Sequence, residues 1–213
     1  MPELALSLVV AFLIIVFPLR ALRQPHRHGD SGRIDLRRGR PRGWLLADAL
    51  FLSGFALLVA GPAAQVANVQ GALLQATPAL NAVAVVVIVA ATVLAVSSQE
   101  TMGTAWRPDI GPADDAELIV WGPFRVVRNP NYVAMLAAAA GICTLAPTMI
   151  AIAGWLVLLA GLLLTARAEE PELRVRYGDA YERYAARVGR FVPGIGRLRD
   201  PAAARDEAGR RGG

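Results

Sequence analysis

The chain has 213 residues, of which 55% are hydrophobic, and its formal net charge is +5. The apolar residues form long uninterrupted blocks, which is typical of integral membrane proteins and excludes an ordinary soluble domain. All 22 basic residues are arginines that flank these blocks, so membrane topology explains the positive charge and no nucleic-acid partner is expected. The single cysteine, Cys143, excludes a disulfide framework and a thiolate metal site, and no metal is predicted.

Five apolar segments are predicted to be transmembrane helices: residues 4–22, 45–67, 79–97, 132–146 and 148–166. Only Pro147 separates the last two segments, which predicts a tight helical hairpin. The predicted fold is therefore an all-α integral membrane protein with about five transmembrane helices.

The arginines are distributed unevenly between the connections. Residues 20–42 hold eight, residues 99–131 hold three and the chain from Arg167 onward holds eleven, whereas the other two connections hold none. This alternation predicts an N-terminus outside and both polar segments in the cytoplasm. We expect a multi-pass protein of a bacterial inner (plasma) membrane whose active site faces the cytoplasm. Three regions are predicted: helices with an Arg-rich loop over 1–98, a core over 99–199, and a disordered tail over 200–213.

Two polar segments interrupt this apolar pattern. Residues 117–132 contain the turn signal Gly122-Pro123, and Pro130 biases Asn129 away from helix. Beyond Pro171 the sequence becomes amphipathic, with one stripe formed by Glu170, Leu173, Tyr177, Tyr181, Tyr184 and Val188. An interfacial helix with an aromatic belt is the structural alternative. However, two carboxylates at the exit of a span need a cationic partner or a ligand, so we expect the two segments to form one site.

The order of motifs resembles a known enzyme family. Gly-Pro-Phe-Arg-x-x-Arg-Asn-Pro-x-Tyr begins at Gly122, and Glu-Glu-x-x-Leu-x-x-x-Tyr-Gly-x-x-Tyr-x-x-Tyr follows after the hairpin, with a closing Arg-x-x-Pro at Arg190. Over about residues 102–193 this resembles the isoprenylcysteine carboxyl methyltransferases, and phospholipid N-methyltransferases are similar there. The resemblance implies S-adenosylmethionine (SAM) bound on the cytoplasmic side, in a pocket closed by a C-terminal amphipathic helix.

The resemblance also implies roles for particular residues. The implied cofactor contacts are Leu118, Ile119, Phe124, Asn129, Pro130, Asn131, Tyr132 and Glu170, with Tyr177 and Tyr181 offering aromatic faces to adenine and to cationic groups. Arg167, one position out of register, stands for the catalytic arginine that handles the substrate. Asn129 departs from the family, which has histidine at this position. An amide cannot titrate near neutral pH, so the position can still bind the cofactor but cannot act as an acid or a base.

The predicted function is methylation of a lipophilic small-molecule or prenylated substrate that enters from the bilayer, with membrane lipids as the other partners. Asn129 favours carboxyl O-methylation of an isoprenylcysteine-like or other isoprenoid or lipid acid, since a carboxylate acceptor has no proton to lose. N-methylation of a phospholipid or amino-lipid is the alternative. A sterol-reductase-like enzyme using NADPH also fits the run 128–132, and a non-enzymatic protein that keeps the scaffold is a third possibility.

Overall fold

The structure, a computed structural model, describes residues 1–17, 42–102 and 117–198. Its helices are α1 (Pro2–Val16), α2 (Arg42–Val66), α3 (Pro78–Met102), α4 (Pro130–Leu145) and α5 (Met149–Arg187), with a short 3-10 helix over Gly122–Arg125. The described residues contain two isolated β-bridges and no strand, which confirms the all-α prediction for them. Most of the Arg-rich loop, part of the long connection and the tail 200–213 lie outside the described residues.

Three of these helices are long and apolar enough to cross a membrane: α2, α3 and α5. The other two, α1 and α4, are apolar but have only 15 and 16 residues, so the number of five spans stays a prediction. Large apolar side chains such as Leu52, Val86 and Leu156 are exposed on the outside of the three long helices. Exposed apolar faces of this kind suit contact with lipid, so the class of integral membrane protein is supported.

Helices α2 and α5 pack closely because glycines occupy their interface. A Cβ atom added to Gly54 would lie 2.7 Å from the backbone nitrogen of Leu158, and one added to Gly161 would lie 2.9 Å from the backbone nitrogen of Phe51. Small residues allow this close approach of helix backbones in membranes. The two contacts also show that the helices are antiparallel, with the beginning of α2 beside the later part of α5.

The remaining contacts bring several helix ends to the same end of the bundle. Gln99 near the end of α3 donates a hydrogen bond from Nε2 to the carbonyl of Val16 at the end of α1, at 3.2 Å. Gly122 lies against Thr101, again at the end of α3. This end of the bundle therefore gathers the segment before α4, the beginning of α2 and the polar extension of α5.

The sequence predicts a span ending at Ala166 and a separate amphipathic helix after Pro171, but in the structure α5 continues through Pro171 and its 39 residues are two helices joined by a kink at Gly178. Pro171 lacks an N–H group and leaves only the carbonyl of Arg167 without its helical partner, at a position where both residues are exposed. The helical geometry fails later, at Gly178, where φ is 50° and ψ is −133°. A bilayer needs only about 20 residues of this helix. The charge-free part 149–166 can cross it, and the part from Arg167 onward extends beyond.

Candidate functional site

The two polar segments meet at the end of the bundle, as the sequence predicts. Val127 and Gly189 form a parallel β-bridge, and the amide of Arg128 donates to the Gly189 carbonyl at 2.8 Å. The amide of Asn129 donates to the Arg190 carbonyl at 3.1 Å. The segment before α4 is therefore fixed to the chain that follows α5.

The Gly-Pro turn lies beside this junction. Gly122 has φ 58°, a conformation that favours glycine, and Pro123 is the second residue of the 3-10 helix. Phe124 is buried, and its carbonyl accepts a hydrogen bond from the Tyr184 hydroxyl at 2.7 Å. Leu118 and Ile119, which lead into the turn, are half-buried.

Glu170 lies between two arginines. Arg190 binds its carboxylate with two hydrogen bonds, from Nε and Nη2, each of 2.8 Å. The Nη1 atom of Arg128 lies 3.0 Å from Glu170 Oε1 and 3.1 Å from the Tyr181 hydroxyl oxygen, to which it donates. The side chains of Arg128 and Glu170 are only 2% and 9% exposed, so this is a buried ion cluster with one positive charge in excess. Such a cluster needs this number of hydrogen bonds to offset the cost of desolvating its charges.

Glu169, the neighbouring acid, has a different environment. Its carboxylate accepts a hydrogen bond from the Tyr132 hydroxyl at 2.8 Å, and within the described ranges no other side chain bonds to it. Glu169 lies on the extension of α5, beyond the charge-free part. The pKa of Glu169 is raised to about 7, chiefly because burial disfavours the charged form; the hydrogen bond from Tyr132 lowers this pKa, and the charges of Glu172 and Glu170 make smaller upward contributions. Glu169 can therefore change its charge near neutral pH.

Three further features belong to the two polar segments. The ring of Phe191 contacts the ring of Tyr132 edge-on, with centroids 6.2 Å apart. Asn131 Oδ1 and Arg128 Nε are buried, and neither atom has a hydrogen-bond partner among the described residues. A buried acceptor and a buried donor without partners are unusual in a folded protein, and a bound polar ligand is one means of satisfying them. The two atoms therefore offer one acceptor and one donor to a bound polar group.

The structure brings together most, but not all, of the residues that the sequence predicts for the site. Asn129 donates from Nδ2 to the Arg190 carbonyl at 3.3 Å, and Pro130 is buried as the first residue of α4. Tyr177 is half-buried and precedes the break at Gly178. The guanidinium carbon of Arg176 lies over its ring, 5.4 Å from the ring centroid. Neither Tyr177 nor Arg167 joins the network. Arg167 is exposed, and its side chain has no hydrogen bond or ion pair with any part of the chain that the structure describes.

Several residues of the network were not predicted to act in the site. They are Arg128, Glu169, Tyr184, Arg190 and Phe191. The signal for Arg128 and Arg190 was present, since both are motif positions, and two acids side by side call for at least one cation. Whether Glu169 or Glu170 binds the two arginines depends on tertiary contacts. Over the described ranges, no group of three metal-ligating side chains occurs.

The family model for phospholipid methyltransferases matches residues 79–180. The matched range extends from α3 into the second part of α5 and covers slightly less than half of the chain. No curated protein and no solved structure matches the chain. The match supports a membrane methyltransferase of this general type that acts on lipid-like substrates, and it does not single out the isoprenylcysteine carboxyl methyltransferases.

Proposed function

We propose that the chain is an integral membrane methyltransferase that uses SAM to methylate a lipophilic acceptor. The observation that carries this proposal is the Tyr132–Glu169 pair, placed where the two motif segments meet at the end of the bundle. Its carboxyl group is poorly solvated and has no cation of its own among the described residues. A site of this kind favours a ligand that brings positive charge.

The cofactor that suits this site supplies a methyl group already activated on a sulfonium centre. Glu169 offers a carboxylate to its cationic groups, and Tyr132 holds that carboxylate in one orientation. Asn131 Oδ1 offers an acceptor to an ammonium or amino group. Glu170 is already bound by Arg128 and Arg190, so we propose Glu169 for the role that the resemblance assigns to Glu170.

The remaining cofactor contacts stay as the resemblance implies them. They are Leu118, Ile119, Phe124, Asn129, Pro130, Tyr132 and Tyr181, of which Phe124, Asn129, Tyr132 and Tyr181 take part in the network described above. Alignment of the acceptor with the methyl group and exclusion of water supply most of the rate enhancement for such a displacement, so a site without a strong base is sufficient.

An amine on a lipid is the acceptor that this geometry favours. An ammonium group must lose a proton before its nitrogen can attack, and Glu169, with its pKa near 7, can take that proton in its ionised form. An ionised carboxylate acceptor would instead be repelled by Glu169. The similarity to phospholipid methyltransferases points in the same direction.

Carboxyl O-methylation of an isoprenylcysteine-like or other lipid acid is the second candidate. It is favoured by Asn129, because the amide at this position cannot act as a base and a carboxylate acceptor does not need one. Protonated Glu169 could also donate a hydrogen bond to such an acceptor.

The location of the site explains how two dissimilar substrates could meet there. The acceptor reaches it sideways from the bilayer, and the soluble cofactor reaches it from the aqueous side. We propose that this side is the cytoplasm, that α1 and α4 complete a set of five spans, and that the membrane is a bacterial inner membrane, all on the arginine distribution.

The test is incubation of the purified protein with methyl-labelled SAM and lipid extracts, followed by analysis of the labelled product. Label that stays on an amine after alkaline hydrolysis supports N-methylation, whereas label released as a base-labile ester supports O-methylation. Binding of SAM without transfer to any lipid supports the non-enzymatic alternative. Binding of NADPH but not SAM would replace the proposal with the reductase-like one.

A further inference from the structure

The chain after α5 folds into a compact turn, residues 189–198, which we call the C-terminal turn. The Arg190 amide donates to the Ile195 carbonyl at 2.9 Å, and the Ile195 amide donates to the Val192 carbonyl at 3.0 Å. The first residue of this turn, Gly189, has to be a glycine, because a Cβ atom there would overlap the Val192 carbonyl oxygen. The C-terminal turn lies beyond the range that the phospholipid methyltransferase model matches, so that similarity says nothing about it.

Charged groups attach the C-terminal turn to the rest of the site. Glu170 binds Arg190 through both carboxylate oxygens, and Arg128 donates from Nη2 to the Gly196 carbonyl at 2.6 Å. The backbone of residues 128 and 129 adds two hydrogen bonds to carbonyls of the turn. Glu170 is therefore the carboxylate that both Arg128, before α4, and Arg190, after α5, share.

This attachment places an aromatic side chain of the turn against the site. Phe191, the residue after Arg190, contacts the ring of Tyr132, whose hydroxyl donates to Glu169. A continuous series of contacts thus leads from Glu170 through Arg190 and Phe191 to the Tyr132–Glu169 pair. Any movement of the C-terminal turn would remove the Phe191 ring from one side of Tyr132.

We propose that Glu170 and Arg190 are positioning residues: their ion pair anchors the C-terminal turn so that Phe191 forms a wall beside Tyr132 and Glu169. Glu170 then acts through the turn and not by direct contact with a cationic ligand. Two arginines already occupy its carboxylate, and its side chain is only 9% exposed. The functional part of this inference rests on the proposed function, whereas the anchoring itself does not.

A double-mutant cycle separates anchoring from direct ligand contact. The variants are Glu170→Gln, Arg190→Gln and the pair together, with Arg197→Gln as the control that removes an exposed arginine from the same turn. The first readout is hydrogen–deuterium exchange of the peptide covering residues 125–132, whose amides at 128 and 129 bond to the turn. The second is the dissociation constant of SAM.

If Glu170 acts through Arg190, both single variants speed exchange in this peptide, and the double variant loses no more SAM affinity than the worse single variant. Arg190→Lys, which keeps the charge, should recover part of the loss, and Arg197→Gln should change neither readout. The inference is overturned if Glu170→Gln weakens SAM binding at least tenfold with unchanged exchange, or if the two losses of affinity multiply in the double variant.

Two provisions keep this test decisive. Glu170→Gln leaves a buried arginine with less compensation and could prevent folding. In that case the variant Phe191→Ala, which retains every ion pair, takes its place. It should weaken SAM binding or raise the KM for the acceptor, without faster exchange over residues 125–132. An unchanged dissociation constant together with an unchanged KM would contradict the proposal that Phe191 forms a wall of the site. The exchange readout needs no cofactor, so failure of the methyltransferase proposal would still leave the anchoring measurable.

Discussion

The Tyr132 hydroxyl donates a 2.8 Å hydrogen bond to the Glu169 carboxylate, across 37 residues of sequence and an intervening helical hairpin. This bond joins the beginning of α4 to the extension of α5 at the end of the bundle. It also distinguishes two adjacent acids, because Glu170 is held by two arginines whereas Glu169 is held by a neutral phenol. A neutral partner leaves the charge of Glu169 available for a ligand.

Replacement of this carboxylate tests that role. Glu169→Gln should weaken SAM binding about ten- to over a hundredfold, because a charge-assisted contact contributes on the order of 1.5–3 kcal/mol. The dissociation constant can be measured by calorimetry in detergent. Glu117→Gln removes a carboxylate from an exposed position and serves as the control. Unchanged affinity in Glu169→Gln would contradict the assignment.

The pH dependence of the reaction should report the ionisation of Glu169. If the carboxylate form is required, kcat/KM falls as the pH drops through about 7, which is the pKa of Glu169 in the folded protein. The hydrogen bond from Tyr132 lowers this pKa, so Tyr132→Phe should move the midpoint to higher pH. Rate profiles of both proteins between about pH 5 and 9 give the comparison. A midpoint that moves to lower pH in the variant would argue against this pair as the titrating group.

Asn129, the position at which the methyltransferases that the sequence resembles have histidine, is expected to tolerate that histidine. Its Nδ2 atom donates to the Arg190 carbonyl, and an imidazole N–H can make the same bond. Asn129→His should therefore retain methyl transfer, and its pH profile should gain little between about pH 5 and 8. A new titration of the rate in this range would show that position 129 takes part in proton transfer.

The orientation of the chain can be tested with single cysteines in a Cys143→Ala background. Gly71 is exposed, and a Cβ atom there meets no other atom within 4 Å, so Gly71→Cys should not disturb the fold. A membrane-impermeant thiol reagent should label it from the outside. Val126→Cys, exposed at the opposite end, should react only after the inner face is opened. The reverse pattern would invert the predicted topology.

The glycines between α2 and α5 give a test of the packing. Gly54→Ala would place a Cβ atom 2.7 Å from the backbone of Leu158, which cannot move without separating the helices. We expect a loss of about 1–3 kcal/mol in unfolding free energy, the usual cost of overpacking. Gly71→Ala has open space around its new methyl group and should change stability little. Thermal unfolding in detergent compares the two, and equal midpoints would refute the close contact.

The sequence alone determined the class of protein and the location of its polar segments. Apolar blocks of this length can be stable only in lipid, and the turn at Pro147 and the two motif segments follow from local chemistry. Helices α4 and α5 form the predicted hairpin, in which the Trp155 indole N–H donates to the Leu136 carbonyl at 3.1 Å, so local chemistry was sufficient there. By contrast, Pro171 did not end a helix, since the carbonyl that it leaves free is that of an exposed residue.

Only the tertiary structure decided which side chains each of the two acids contacts. Glu169 and Glu170 are identical in chemistry and adjacent in sequence, so no local rule separates them. Successive residues of a helix point about 100° apart. This rotation directs Glu170 toward Arg128 and Arg190, which come from opposite sides of the hairpin, and directs Glu169 toward Tyr132. These partners are 20 to 42 residues away along the chain, and their approach depends on how the helices pack and not on any pattern within one segment.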